Sequence, residues 1–249
     1  MIIDTAFDFR VDSGGKDPDS HSKTLKQYHK ILWSKQLPSG DTFCLKENDA
    51  NRHLVFNSVN GDQYLSSDSI ANSFRHRRGK IASVINQIEP NLIDEFYALN
   101  YTMGAFILFP GNRIDGQATI NAQRGFNYYI ADRFDLTLEC IRRHYLHKES
   151  PLSAVLLRYD SFFRLFRDFK SYVEFFLLDD LVNADYSEVL FFTPAESLFE
   201  SSPLPLDVPS YLAYRDSSMN FVRARNQRIS NWVEGNAAST GERGSCQAQ

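Results

Sequence analysis

Residues 130–147 read IADRFDLTLECIRRHYLH, and the fold is read outward from them. Ile130, Phe134, Leu138, Ile141 and Tyr145 recur at spacings of four, four, three and four, a stripe on one helical face that predicts a helix over 130–147. Asp132, Asp135 and Glu139 come early and Arg142, Arg143, His144 and His147 late, so both ends suit the helix dipole. Toward the C-terminus, Ser150-Pro151 opens a second helix to about Phe169, and a third covers about Phe169 to Leu181. Glu188–Thr193 reads as strand-like, and a last helix lies near 216–233 with Met219, Val222, Ile229 and Val233 inward. Toward the N-terminus the pattern changes. Tyr101–Phe109 reads as a strand buried on both faces, with a hairpin-like return through Ala118-Thr119-Ile120. Thr42–Leu45, His53–Phe56 and Gln63–Leu65 read as short strands, with a turn at Asn60-Gly61-Asp62. Ser67-Asp68 suits the cap of a short helix over 69–74, 81–88 leans to strand, and 91–99 to helix. Ser22–Lys35 predicts a helix with Leu25, Tyr28, Leu32 and Trp33 on its inner side. The expected fold class is α+β. A mixed, small-sheet N-terminal half (about 1–125) packs with a mostly helical, aromatic-rich C-terminal half (about 126–234) in one globular domain, and a disordered tail covers 235–249.

Composition bounds the function. The chain has 249 residues, 27 Lys+Arg against 31 Asp+Glu, and a net charge of −4, with 43% hydrophobic and 14% aromatic residues. Those values exclude a disordered chain and a collagen-like repeat, and three widely spaced cysteines argue against a disulfide scaffold. The acidic start (Asp4, Asp8, Asp12) offers no secretory leader, and the longest clean apolar stretch, Met103–Pro110, is too short to span a bilayer. A soluble, cytoplasmic protein with no membrane contact is the expectation. Between Ser171 and Tyr214 there are eight acidic residues and no Lys or Arg, which opposes nucleic acid. Only the run Arg75-His76-Arg77-Arg78-Gly79-Lys80 keeps a polyanion contact in view.

The candidate site residues sit on loops and on one helix. In 12–21, DSGGKDPDSH, Gly14-Gly15-Lys16 can wrap a phosphate, and Asp17 and Asp19 are further ligand-binding candidates; a plain Asx/Pro turn is the competing reading. His29 is the candidate general base, with Lys30 beside it. Asn121 and Arg124 lie between a buried strand and the best helix, where Arg124 could fork onto an anion, or else pair with Asp132 or Glu139. Cys140, His144 and His147 share a helix face, but without a fourth ligand they read as core and dipole residues, and no metal site is assigned. Asp168-Phe169-Lys170 has nuclease-like spacing but helical surroundings, which separate the two side chains.

The blocks FDFRVDSGGKDPDS (7–20), LWSK-x-LPSG (32–40), FPGN (109–112), TIN-x-x-RGF (119–126) and DRFDLTLECIRRHY (132–145) together resemble an uncharacterised bacterial family known only as a domain of unknown function. The resemblance spans roughly residues 5–182, with Gln36 and Gln117 as small departures. It implies a bacterial protein and brings no activity, cofactor or fold. From the residues themselves, the first expectation is a protein, enzymatic or not, that binds a phosphate-bearing small molecule or nucleotide, with Lys16 and Arg124 on the anion. The alternative is a non-enzymatic protein–protein interaction module of a bacterial multi-component system, suggested by Phe162, Phe163, Phe166, Phe169, Phe175 and Phe176. Nucleic-acid binding stands third. Cofactors are unassigned.

Overall fold

Alternating apolar residues and short turns in 45–110 build an antiparallel sheet, seen here in a computed structural model that describes residues 3–48, 54–58, 61–76, 79–194 and 198–237. Its strands are β1 (Leu45–Glu47), β2 (Leu54–Ser58), β3 (Gly61–Ser69) and β4 (Phe106–Pro110), in the order β1-β2-β3-β4. β2 pairs with β3 only from Gly61 to Leu65, whereas β4 pairs with it from Leu65 to Ser69. Among the described residues the far end of β3 is therefore held by one strand. A short helix, α1 (Pro18–His21), packs against it instead.

The predicted helix at 22–35 forms as α2 (Lys23–Trp33), with the Ser22 hydroxyl accepting Leu25 N–H and Leu25, Tyr28, Leu32 and Trp33 buried. The next stretch differs from expectation at several points. Residues 69–74 are no helix: Ser69 still pairs with Phe106, and Asp68 turns its carboxylate to Ser69 N–H and Arg124. Residues 81–88 are not a strand but contain α3 (Lys80–Ile85), because Ile81, Val84, Ile85 and Ile88 are buried at helical spacing and burial outweighs β-branching. The helix at 91–99 forms as α4 (Pro90–Leu99). The long strand expected at 101–109 is a 3₁₀ turn, Met103–Ala105, followed by the fully buried β4. Instead of a hairpin return, Thr119 caps α5 (Ile120–Phe126).

The C-terminal half is helical and aromatic-rich as expected. α6 (Phe134–Tyr145) begins four residues late because Ala131 and Asp132 take left-handed backbone angles before it. The helix from Ser150 is broken into α7 (Ser153–Arg158) and α8 (Asp160–Phe163), and Arg167, with φ of 59°, separates them from α9 (Phe169–Phe176). The strand-like 188–193 makes one bridge, Val182 to Val189. α10 (Val208–Ala237) is longer than expected at both ends and takes in the first residues of the expected tail; 238–249 lie outside the described residues.

One hydrophobic cluster runs from Ile3 to Ile229 and joins the sheet to both sets of helices. At its centre Trp33, Phe43, Phe166, Phe175 and Phe176 meet with ring centroids 4.5–6.4 Å from a neighbour, mostly tilted or edge-on. α10 crosses the sheet end so closely that a Cβ on Gly104 would lie 2.5 Å from the Val222 carbonyl oxygen. Glycine is required there by contact. No helix among the described residues is long and apolar enough to cross a membrane.

Candidate functional site

Four short pieces of chain converge beside the end of β3 and leave a cavity of about 330 Å³. The first is the 12–21 loop. Gly14 and Gly15 turn it with φ of 63° and 74°, and Asp12 ties it shut by accepting Ser22 Oγ–H and Thr24 N–H (2.9 Å). Asp17 caps α1 and Pro18 is buried, which sets Asp19 over β3. β3 itself brings Asp68 and Ser69. The loop after it brings Asn72, Arg75 and His76, and α4 brings Tyr97 and the turn after it Tyr101; Asp132 closes the wall from the turn before α6.

The floor is acidic, with one cation beneath it. Arg124 is fully buried. Its guanidinium donates to Asp68, to the carbonyls of Ser69 (3.0 Å) and Asp132 (3.2 Å) and to Thr137 Oγ1 (3.2 Å), and lies 3.8 Å from the Asp132 carboxylate. Asn72 Nδ2 also donates to Asp132, at 2.6 Å. Burial pushes the Asp68 carboxyl up, against the pull of Arg124. Asp19 has no such cation among the described residues. Its Oδ1 is buried with no hydrogen-bond partner. Burial, then the charges of Asp17 and Asp68, push its carboxyl well above the ordinary range, with only the Ser67 hydroxyl opposing.

Behind Asp19 runs a hydrogen-bonded chain. The Trp33 indole N–H, which can only donate, gives its proton to His29 Nδ1 at 2.8 Å. The ring's other nitrogen, Nε2, then carries the hydrogen and donates to Ser67 Oγ at 2.9 Å. Burial, helped by the charge of Arg225, pushes His29 down to about 3, so the ring is neutral and its one lone pair is already used.

The rim is basic and aromatic. Arg10 lies over Tyr97 and Tyr101 (5.1 and 4.8 Å), and Arg75 over Tyr97 (4.9 Å). Tyr101 Oη donates to Tyr97 Oη at 3.2 Å, and His76 Nε2 is 3.4 Å from the same oxygen. Arg77 and Arg78 lie outside the described residues.

Of the residues singled out in the sequence, Asp17 and Asp19 line the cavity, Arg124 lies under its floor, and His29 reaches it through Ser67. Asn121 sits on β3, donating to the Ser67 carbonyl at 3.3 Å, with its own Oδ1 buried and unpartnered. Lys16 is exposed one residue before Asp17 and does not line the cavity, and Lys30 is apart from it, paired with Glu47. Asp68, Asn72, Tyr97, Tyr101 and Asp132 were not singled out. The signal for them was pairing: Asp68 and Asp132 are the carboxylates that a buried arginine requires. Elsewhere, Cys140 is a core thiol pushed up to about 12 by burial, His144 Nε2 is 3.2 Å from Asp160, and Asp168 caps α9. Among the described residues no group of three or more His, Cys, Asp or Glu is arranged to hold a metal ion.

Asp19→Asn is expected to stabilise the protein by about 1–2 kcal/mol at pH 7, since it removes a carboxyl that folding holds in its protonated form although the unfolded chain ionises it. The sign follows from linkage. A carboxyl raised in the folded state costs nothing below its unfolded pKa of about 4 and costs progressively more above it. The stability gap in urea titrations should thus open as pH rises above about 4 and close below it.

A family model described as a family of unknown function matches residues 3–229. No curated protein and no solved structure matches the chain.

Proposed function

The chain belongs to that family, DUF6994, and because membership brings no chemistry we propose from its own residues that the cavity binds a phosphate-bearing polyhydroxyl compound, a sugar phosphate or nucleotide. What supports this is the layering of charge. The floor offers carboxyl oxygens and the Asn72 amide, which suit ring hydroxyls, and the rim offers the Arg75 guanidinium and the His76 imidazole. The volume suits a small ligand of that kind. Arg75 already pairs with Asp94, but Asp94 is more than half exposed, and such a surface pair contributes little and can be exchanged for a phosphate. Arg124 has a different part in this reading from the anion-holding role expected of it. Its donors are spent on Asp68, Thr137 and two carbonyls, so it holds the floor and leaves the anion to the rim.

Thermal denaturation in the presence of nucleotides and sugar phosphates, each beside its dephosphorylated counterpart, tests the reading. A ligand at about 100 times its Kd adds roughly 2.7 kcal/mol, which for a chain of this size is about 5–11 °C. The expected result is a shift with the phosphorylated member of a pair that Arg75→Ala reduces to the level of the other member. Equal shifts within every pair, or none, would remove the phosphate from the proposal. In the second case the interaction-module reading gains. It draws nothing from Phe162, Phe163, Phe166, Phe169, Phe175 and Phe176, which are all buried; it would rest on Phe126 and Tyr128, whose rings are exposed beside α5.

A further inference from the structure

We propose that Asp19 is the proton donor of this cavity, a neutral carboxylic acid presenting its proton from Oδ1 and held in place by the directed chain Trp33, His29, Ser67. The inference rests on the cavity being a ligand site and adds what that site does to its ligand. Three observations carry it. The floor holds Asp19, Asp68 and Asp132 around a single guanidinium, and Arg124 is committed to the latter two. A third carboxyl without a cation, buried in the same wall, is the one that keeps its proton.

The second observation is direction. Because the Trp33 indole can only donate, every hydrogen in the chain points the same way: from Trp33 to His29 Nδ1, and from His29 Nε2 to Ser67 Oγ. Ser67 has accepted from the histidine and has its own hydrogen left to give, and Asp19 is the carboxyl beside it. That hydroxyl is the group favouring the Asp19 anion, and burial and the charges of Asp17 and Asp68 work against it. The third observation is that Oδ1 is buried in the cavity wall with no partner, so a ligand oxygen is the acceptor it lacks. The charged groups facing Asp19 are Asp17 on its own segment and Asp68 on β3; Asp132, Arg75 and His76 stand on the other walls, and His29 is neutral. His29 is in this account a positioning residue, acting through Ser67.

Carbon-13 NMR of aspartate-labelled protein, titrated without ligand, tests the proposal, with Asp19→Asn identifying the signal. Asp19 should remain protonated at pH values where exposed aspartates have ionised. Ser67→Ala, which removes the hydrogen bond favouring the anion, should move its midpoint further up, and Ser67→Thr should restore it. His29→Gln, which keeps a donor for Ser67 and an acceptor for Trp33, should leave the midpoint near that of the wild type, and it serves in place of Ser67→Ala if that variant does not fold. Titration of Asp19 together with the exposed aspartates would overturn the proposal. So would a midpoint indifferent to Ser67→Ala, or, where His29→Gln stands in, a midpoint that this variant displaces. The measurement needs no ligand, so an empty ligand screen beside a raised midpoint discards the phosphate reading alone, and the converse pair of results discards the proton donor alone.

Discussion

Arg225→Ala is expected to lower stability by about 4–5 kcal/mol, most of what a domain usually has. Arg225 is fully buried on α10 and has no carboxylate partner among the described residues. Its donors go to backbone carbonyls: Nη1 to Gly104 (2.9 Å) and Phe106 (2.7 Å), Nε and Nη2 to Phe176 (3.2 and 2.9 Å). Phe176 ends α9, where the helix dipole is negative, and Lys35 Nζ donates to the neighbouring Phe175 carbonyl at 2.8 Å. Arg225 and the Lys35 amine, whose ammonium form burial disfavours, thus replace the water that a helix end would otherwise hold. Burial without an anion pushes Arg225 down to about 9, so removing it does relieve a desolvation cost. That relief is outweighed. Three carbonyls lose their donors at about 1–3 kcal/mol each, and the void of a large side chain adds to the loss. Arg225→Lys keeps the charge but not the fork and should recover only part of the difference. Urea unfolding checks this; an unchanged midpoint in Arg225→Ala would show that the carbonyls find other partners.

Arg124→Ala is expected to cost about 3–5 kcal/mol at pH 7, with a pH dependence set by the carboxyl it leaves behind. Its loss leaves Asp68 and Asp132 facing each other without a counter-ion. The Asp68 carboxyl, already pushed up by burial, would then rise further in the folded state, a cost that is absent below the unfolded pKa of about 4 and grows above it. The variant should be closest to wild type in mild acid and fall away toward neutrality. Arg124→Met combined with Asp68→Asn should recover stability relative to Arg124→Met alone, because the pair is removed together. Denaturation curves at pH 4.5 and 7.5 separate this from a packing defect, which would cost the same at both.

The parts of the fold legible in the sequence were those with a dominant period. α2, α4 and α6 carry clear helical stripes, and their capping or buried residues match. Residues 81–88 carried such a stripe too, but β-branched residues masked it. Thr119 was not read as a cap because Asp115-Gly116 beside it suggested a hairpin. For the site, the loop with Asp17 and Asp19 was legible from its turn chemistry. Its partners were not, since Asp68 and Asp132 stand 49 and 113 residues beyond Asp19 and meet it only through tertiary folding. His29 was visible as an imidazole, but nothing local showed that the Trp33 indole four residues on would occupy its lone pair. Arg124 was open to two readings, an outside anion or a pairing with Asp132 or Glu139; its burial beside Asp68 and Asp132 decides for internal partners, of which the sequence offered only Asp132.

The contact between Arg225 and the Phe106 carbonyl spans 119 residues of chain. On a ribosome adding about 5–20 residues per second, that separation is roughly 6–24 s. Throughout that interval the nascent sheet has emerged without the side chain that closes its end, and the α9 terminus is without one of its two donor side chains. Synthesis therefore imposes an order on assembly. The strands must wait, with apolar surface uncovered, for an arginine translated 119 residues after Phe106, and the burden of keeping the nascent chain from sticking to its neighbours falls on that wait.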